Sequence, residues 1–163
     1  MTSSKKLILR DKKFIAEHRG GSLTKDQHRL LMLWACDCAE HVLPLIGGKI
    51  DKRLTDALII GRKWAGGNAS VGDTRKASVE AHAFSRESND PVVTPIARAV
   101  GHAVATAHMA DHSLRSALYV LKAIKNSGKS IDQERHWQLE KLPTEIKELV
   151  VSGLKEKEKH FKL

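Results

Sequence analysis

Residues 97–112 read ARAVGHAVATAHMADH, a run built almost entirely from small side chains and histidine. At about 3.6 residues per turn, Ala97, Gly101 and Ala105 fall on one face of a helix. Side chains this small let a neighbouring backbone approach unusually closely. We therefore expect this helix to lie at the centre of a helical domain.

The composition is that of a single globular, helical domain. The chain has 163 residues, of which 41% are hydrophobic, 29% charged and only 4% aromatic. A chain of this length buries about 70% of its unfolded surface when it folds. Many alanines and few aromatics favour helices packed through small residues over a β-sandwich. We expect an all-α, single-domain bundle of about six to eight helices over residues 1–163.

Capping signals and apolar stripes divide the chain into helices. Thr24 and Gln27 form the pattern of a capping box, which predicts a helix over about residues 24–43. Further helices are predicted from Asp51 to Gly66, from Ser70 or Asp73 to near Ser88, from Asp90 to about His108, from Asp111 or Ser113 to Gly128, from Asp132 through Trp137, and after Pro143. A helical pattern is also present at about residues 7–17, and a break is predicted near residues 109–112.

The positive charge is concentrated near the N-terminus. The formal net charge is +9, and residues 1–29 hold eight Lys and Arg against three Asp and Glu. Residues 30–140 are nearly balanced, with fourteen against twelve. We therefore distinguish a basic N-terminal segment, residues 1–22, from a solvated C-terminal tail, residues 155–163. A basic segment can contact an acidic protein or phosphate, or simply keep the protein in solution.

Neither secretion nor membrane insertion is indicated by the sequence. Cys36 and Cys38 are two residues apart in an apolar helical segment, so their thiols point in different directions and we expect two core residues. The apolar run at residues 7–9 is too short for a signal peptide. No segment approaches the roughly 18 apolar residues of a membrane span. We expect a cytoplasmic protein without a membrane partner.

Four histidines are candidates for a metal site: His82, His102, His108 and His112. The last two have the i, i+4 spacing that can place two imidazoles on one metal ion. The glutamate of a His-Glu-x-x-His motif is absent, however, and a helix break near Asp111 would separate the pair. We therefore expect no metal and no cofactor.

A buried polar network is the interpretation we favour for these histidines. Its predicted members are Asp37, Glu40, His82, His102 and His108. In a core made of small side chains, each buried polar group without a partner would cost about 1–3 kcal/mol. We expect no catalytic residues, because neither cysteine nor serine stands in a recognisable nucleophile motif. A metal-dependent enzyme that uses the histidine cluster stays open as an alternative, as does a basic nucleic-acid-binding helical module.

Several blocks of the sequence together resemble one family. The blocks are residues 18–24, 33–44, 62–65, 80–83, 101–112, 137–138 and 142–143. In this order they resemble the bacterial immunity proteins associated with polymorphic toxin systems, over about residues 9–151, and the Ala-His-rich block is the distinctive one. The resemblance implies a small all-helical cytoplasmic protein, not an enzyme, that binds and neutralises a cognate toxin by stoichiometric association. It supplies no catalytic residues to transfer.

The charge pattern indicates where such a partner would bind. The candidate partner-binding residues are Arg10, Lys12, Lys13, Arg19 and Arg29. Arg19 and Arg29 are also candidates for structural ion pairs with Asp37 or Glu40. A strongly basic chain is a poor mimic of nucleic acid, so a nuclease target is not favoured. We do not expect nucleic acid to be a specific partner, because exposed aromatic residues are not interleaved with the basic ones.

Overall fold

The computed structural model describes residues 11–163. Over this range the chain forms seven α-helices: α1 Lys25–His41, α2 Lys52–Ala65, α3 Val71–Glu87, α4 Val93–Ala105, α5 His112–Asn126, α6 Ile131–Glu140 and α7 Thr144–Glu158. Short 3-10 turns cover Lys12–Phe14, Glu17–Arg19 and Leu43–Ile46. The predicted all-α bundle is confirmed. None of the helices in the described range is long and apolar enough to cross a membrane.

Side-chain caps hold the starts of α1, α2 and α3, as the sequence predicts. Thr24 accepts a hydrogen bond from the backbone N–H of Gln27 at 3.1 Å, and the Gln27 side chain accepts one from the N–H of Thr24 at 3.0 Å. This capping box satisfies two of the backbone donors that the first turn of α1 leaves unpaired. Ser70 and Asp73 form the same arrangement at α3. Asp51 caps α2 through the N–H of Arg53.

Helix α4 lies at the centre of the bundle, as its small side chains predict. It packs against α1, α2, α3 and α5. Its backbone is tied to two neighbours by serine hydroxyls, because Ser78 on α3 donates to the carbonyl of Gly101 at 2.9 Å and Ser116 on α5 donates to the carbonyl of Ala99 at 2.8 Å. Small polar residues thus replace bulky apolar ones where the helices come closest.

The predicted break between α4 and α5 is present but begins earlier than expected. We expected the helix to continue to about His108, whereas α4 ends at Ala105. The N–H of Thr106 bonds to the carbonyl three residues back, at 3.2 Å, which tightens the last turn. The freed carbonyl of Thr106 accepts a hydrogen bond from Nε2 of His28 on α1, at 2.6 Å. Helix α5 then runs back along α4.

The N-terminal helix predicted over residues 7–17 is not formed by residues 11–17, and its earlier part lies outside the described residues. Asp11 caps a single 3-10 turn through the N–H of Lys13. The chain then extends, and Ala16 pairs with Leu23 in an isolated β-bridge. A Cβ on Gly21 would lie 1.9 Å from the carbonyl oxygen of Ile15, so only glycine fits this close backbone approach.

Part of the predicted C-terminal tail is helical. Helix α7 continues to Glu158, so the first four residues of the predicted tail are helical. Lys157 makes an ion pair with Asp111 at 3.0 Å, and Arg135 pairs with Glu158. These contacts tie the end of α7 to the start of α5 and to α6, and they explain why the helix does not stop at Lys155.

Candidate functional site

Four histidine rings form a row at the junction of α3, α4 and α5. The ring of His82 meets that of His102 edge to face, with centroids 5.0 Å apart. His102 lies beside His112 with centroids 4.9 Å apart, and the Nδ1 atoms of the two rings are separated by 2.8 Å. His108 lies 5.6 Å from His112. The fold therefore brings together all four histidines that the sequence marked as metal candidates.

The row continues through residues that the sequence analysis did not single out. Tyr119 of α5 stacks on His102 almost in parallel, with centroids 5.2 Å apart. The guanidinium of Arg98 lies 5.8 Å from the centre of the Tyr119 ring, within the range of a cation–π contact. The i, i+4 spacing of Arg98 and His102 is the sequence signal that could have placed the cation beside the row.

Burial keeps the imidazoles of His82, His102 and His112 neutral. The pKa of His102 is lowered to about 2, first by burial and then by electrostatic coupling to the titrating rings of His112 and His82. Burial likewise lowers the pKa of His112 to about 4, against a smaller opposing effect of Asp111. The pKa of His82 is also lowered by burial. At neutral pH the row can therefore exchange hydrogen bonds and stack, but it carries little positive charge.

The arrangement does not resemble a metal centre. In the described part of the chain, no group of three or more His, Cys, Asp or Glu side chains is placed to hold a metal ion. The Nδ1 atoms of His102 and His112 point at each other, which uses at least one lone pair that a metal would need. The expectation of a metal-free protein stays a prediction.

The two carboxylates of the predicted polar network lie elsewhere. Asp37 and Glu40 both bind Arg62 of α2, with nitrogen–oxygen distances of 2.9 and 2.5 Å. They stand at i, i+3 on the outer face of α1, and their side chains are 52% and 56% exposed. The predicted network is thereby corrected: the histidines cluster with one another, and the carboxylates form an ion-pair group with Arg62. Such exposed pairs contribute about 0–1 kcal/mol.

The candidate partner-binding charges remain available at the surface. Lys12, Lys13, Arg19 and Arg29 are exposed. Within residues 11–163 none of the four makes an ion pair with a carboxylate, so the structure does not support the structural role considered for Arg19 and Arg29. Arg10 lies outside the described residues.

The two cysteines are core residues, as predicted. Both side chains are fully buried and both thiols are free. Burial raises the pKa of Cys36 to about 12 and raises that of Cys38 as well. Because the thiolate is the reactive form, neither cysteine is set up as a nucleophile.

Comparison with known proteins yields one match. The model of a family described as "Imm-5 like putative immunity protein" matches residues 21–145, which is more than half of the chain. No curated protein and no solved structure matches.

Proposed function

Because the chain belongs to the Imm-5 like family of immunity proteins, we propose that it binds a cognate toxin and neutralises it by stoichiometric association. The family match is the observation that carries this proposal. It spans residues 21–145, which include every helix from α1 to α6 and the start of α7. The resemblance therefore covers most of the bundle and not an isolated motif.

Binding rather than catalysis is supported by the state of the reactive side chains. The histidine row is held in ring-to-ring contacts, and burial lowers the pKa values of His82, His102 and His112. Both thiols are buried, with raised pKa values. Groups that commonly act as bases or nucleophiles are thus engaged in packing. A surface interaction needs none of them.

The charge distribution favours an acidic or neutral toxin surface. The chain carries a formal charge of +9, and the exposed N-terminal cations Lys12, Lys13, Arg19 and Arg29 have no carboxylate partner in the described range. Opposite charge on the toxin would accelerate encounter through long-range attraction. Nucleic acid is not proposed as a specific partner.

Co-expression with any toxin domain that the neighbouring genes encode tests the proposal. The chain should restore growth of cells that express the toxin, and light scattering on the purified mixture should give a one-to-one complex. As a control, Leu118→Asp places a charge at a fully buried position and should abolish protection by unfolding the bundle. Unrelieved toxicity in the presence of folded wild-type chain would refute the immunity function.

A further inference from the structure

A groove of about 710 Å³ runs between α5 and α7 and ends against the N-terminal turn. Its apolar lining includes Phe14, Ile15, Leu114, Leu118 and Phe161. Gly153 of α7 forms part of the wall, where a Cβ would lie 2.7 Å from the Leu114 side chain and 2.9 Å from the Phe14 ring. The groove is thus an apolar trough between two helices, of the size that accepts a side chain or a short segment of a partner.

The rim of the groove carries positive charge that the described chain does not neutralise. Lys157 is paired with Asp111, and Glu156 is paired with Lys159. Arg115, Lys122 and Lys162 also line the groove, and within residues 11–163 no carboxylate lies within ion-pair distance of any of them. An incoming acidic group would therefore find three cations whose charge is not already compensated.

Aromatic rings hold part of this rim in place. Tyr119 lines the groove, with Phe161 edge-on at 5.0 Å and His102 stacked behind it at 5.2 Å. The ammonium group of Lys122 lies 5.9 Å from the centre of the Phe161 ring. Rings fixed by their neighbours lose little freedom when a partner binds, and for this reason aromatic and arginine side chains commonly dominate interface energies.

We propose that this groove is the docking site for the toxin and that it takes an acidic segment with an apolar or aromatic anchor. The anchor occupies the trough beside Tyr119 and Phe161, while carboxylates on the segment meet Arg115 and Lys122. This inference rests on the proposed immunity function. It assigns a second toxin-binding region to the protein, in addition to the exposed cations near the N-terminus. The two regions are continuous, because Phe14 and Ile15 form the end of the groove.

A protein segment fits the groove better than a nucleic acid does. Asp11, Asp111 and Glu156 also lie on its rim, among the cations. A phosphate backbone presents negative charge at every nucleotide and would be repelled at these positions. A protein segment can place a carboxylate opposite Arg115 and an uncharged or cationic group opposite Asp11. The mixed rim, together with the apolar floor, therefore selects for a protein.

Charge reversal at the groove tests the proposal. Any toxin domain that the neighbouring genes encode is produced in a non-toxic form and titrated against wild type and against the double variant Arg115→Glu, Lys122→Glu. We expect at least about 100-fold weaker binding, mostly through faster dissociation. The matched control is Lys63→Glu, Lys76→Glu, which makes the same change in charge at exposed lysines outside the groove. It should bind within about threefold of wild type.

The outcomes separate this proposal from the immunity function. If wild type binds the toxin and the groove variant binds as tightly as the control, the groove is not the docking site, and the immunity function is still supported. If wild type does not bind the toxin, both the docking site and the immunity function are rejected. If the groove variant loses binding only to a fluorescein-labelled oligothymidylate, the groove is a nucleic-acid site instead. Arg115→Ala removes an exposed side chain without an ion pair to break, so it gives the same test should the double variant fail to fold.

Discussion

The Nδ1 atoms of His102 and His112 lie 2.8 Å apart across the turn that joins α4 to α5. Such a contact requires one ring to donate an N–H and the other to offer a lone pair, so the two rings cannot both be imidazolium. Burial acts in the same direction, since it lowers the pKa of His102 to about 2 and that of His112 to about 4. The contact across the turn between α4 and α5 therefore requires at least one neutral histidine.

Acid should destabilise the fold before its carboxylates titrate. The unfolded chain protonates these histidines at the ordinary pKa of 6.5, whereas the folded chain keeps them neutral down to about pH 4 for His112 and lower for His102. Their stabilisation is thus complete above pH 6.5 and is lost as the pH falls below it. Each such histidine lowers the free energy of unfolding by up to about 1.4 kcal/mol per pH unit. Urea unfolding between pH 7.5 and 4.5 measures this slope.

Replacing the His112 ring tests whether the histidine row causes the decrease in the free energy of unfolding at low pH. His112→Asn keeps a polar group near Nδ1 of His102 but removes a titrating site, so its stability should fall less steeply with acid. Besides the rings themselves, the charged groups around the row are Arg86, Arg98, Arg115, Lys157 and Asp111, of which Asp111 alone carries negative charge. Equal slopes in the variant and in wild type would show that other groups cause the acid sensitivity.

Gly101 should tolerate a methyl group only when His82 is absent. An added Cβ would lie 2.6 Å from Nε2 of His82, so Gly101→Ala has to push that ring away from His102. We expect a loss of about 1–2 kcal/mol in wild type. In the His82→Ala background the same change should stabilise by up to about 1 kcal/mol, because alanine is the better helix former. Double-mutant thermal melts decide the matter, and additive effects would contradict the contact.

The close contact at Gly101 shows which features of the fold could be predicted from the sequence and which could not. A stripe of small residues predicts a crowded, central α4, and this is a local property of residues 97–112. What fills the space depends on how α3 packs, and the partner proves to be the imidazole of His82 and not the backbone that we expected. The capping box at Thr24 was predictable for the same local reason. The end of α4 was not, because the carbonyl of Thr106 is taken by His28, which is 78 residues away in sequence.

The indole of Trp34 should contribute more to the stability of the fold than the indole of Trp64 does. Nε1 of Trp34 donates to the backbone carbonyl of Gln138 at 2.9 Å, in the last turn of α6, where helical carbonyls lack partners. Trp34→Phe removes this bond at a fully packed site and should cost about 2–4 kcal/mol. Trp64→Phe is the matched control, since Trp64 is only partly buried. Chemical denaturation that gives equal costs would mean that the hydrogen bond contributes nothing measurable.

Protein purified without chelators or metal-affinity resin should contain far less than one zinc, iron or manganese atom per chain. The reason is geometric, because His102 and His112 are bonded to each other and the described residues offer no group of three ligands. Added zinc should accordingly leave the melting temperature unchanged, whereas a ligand bound by the folded state would raise it. One tightly held metal per chain would instead support the metal-dependent enzyme.

Which side chains share a site was harder to predict than which segments are helical. The sequence marked all four histidines of the row, since three of them fall in one distinctive stretch. It could not assign partners to Asp37 and Glu40, because the direction in which a helix face points depends on its neighbours. Arg62 of α2 takes both carboxylates. Tyr119 was missed because a single tyrosine carries no spacing signal of its own, whereas Arg98 was missed although its i, i+4 spacing to His102 offered one.

The N-terminal charges should control how fast the toxin is captured. Lys12 and Lys13 are exposed and lie beside Phe14, which lines the groove. Lys12→Glu, Lys13→Glu should slow association about three- to tenfold at low salt, because rim charges act mainly through long-range attraction. Dissociation and the melting temperature should hardly change, in contrast to the faster dissociation expected for variants of Arg115 and Lys122.

Stopped-flow measurement of association with the toxin domain distinguishes a local effect of Lys12 and Lys13 from an effect of the net charge of the chain. Lys63→Glu, Lys76→Glu changes the net charge equally, so a slowing specific to the N-terminal variant places the encounter surface near Lys12 and Lys13. The difference between the two variants should vanish near 1 M salt, where screening reaches about 3 Å. If both variants slow association equally, the net charge of the chain steers the toxin and residues 12–13 have no special role. If neither does, the toxin approaches without electrostatic guidance.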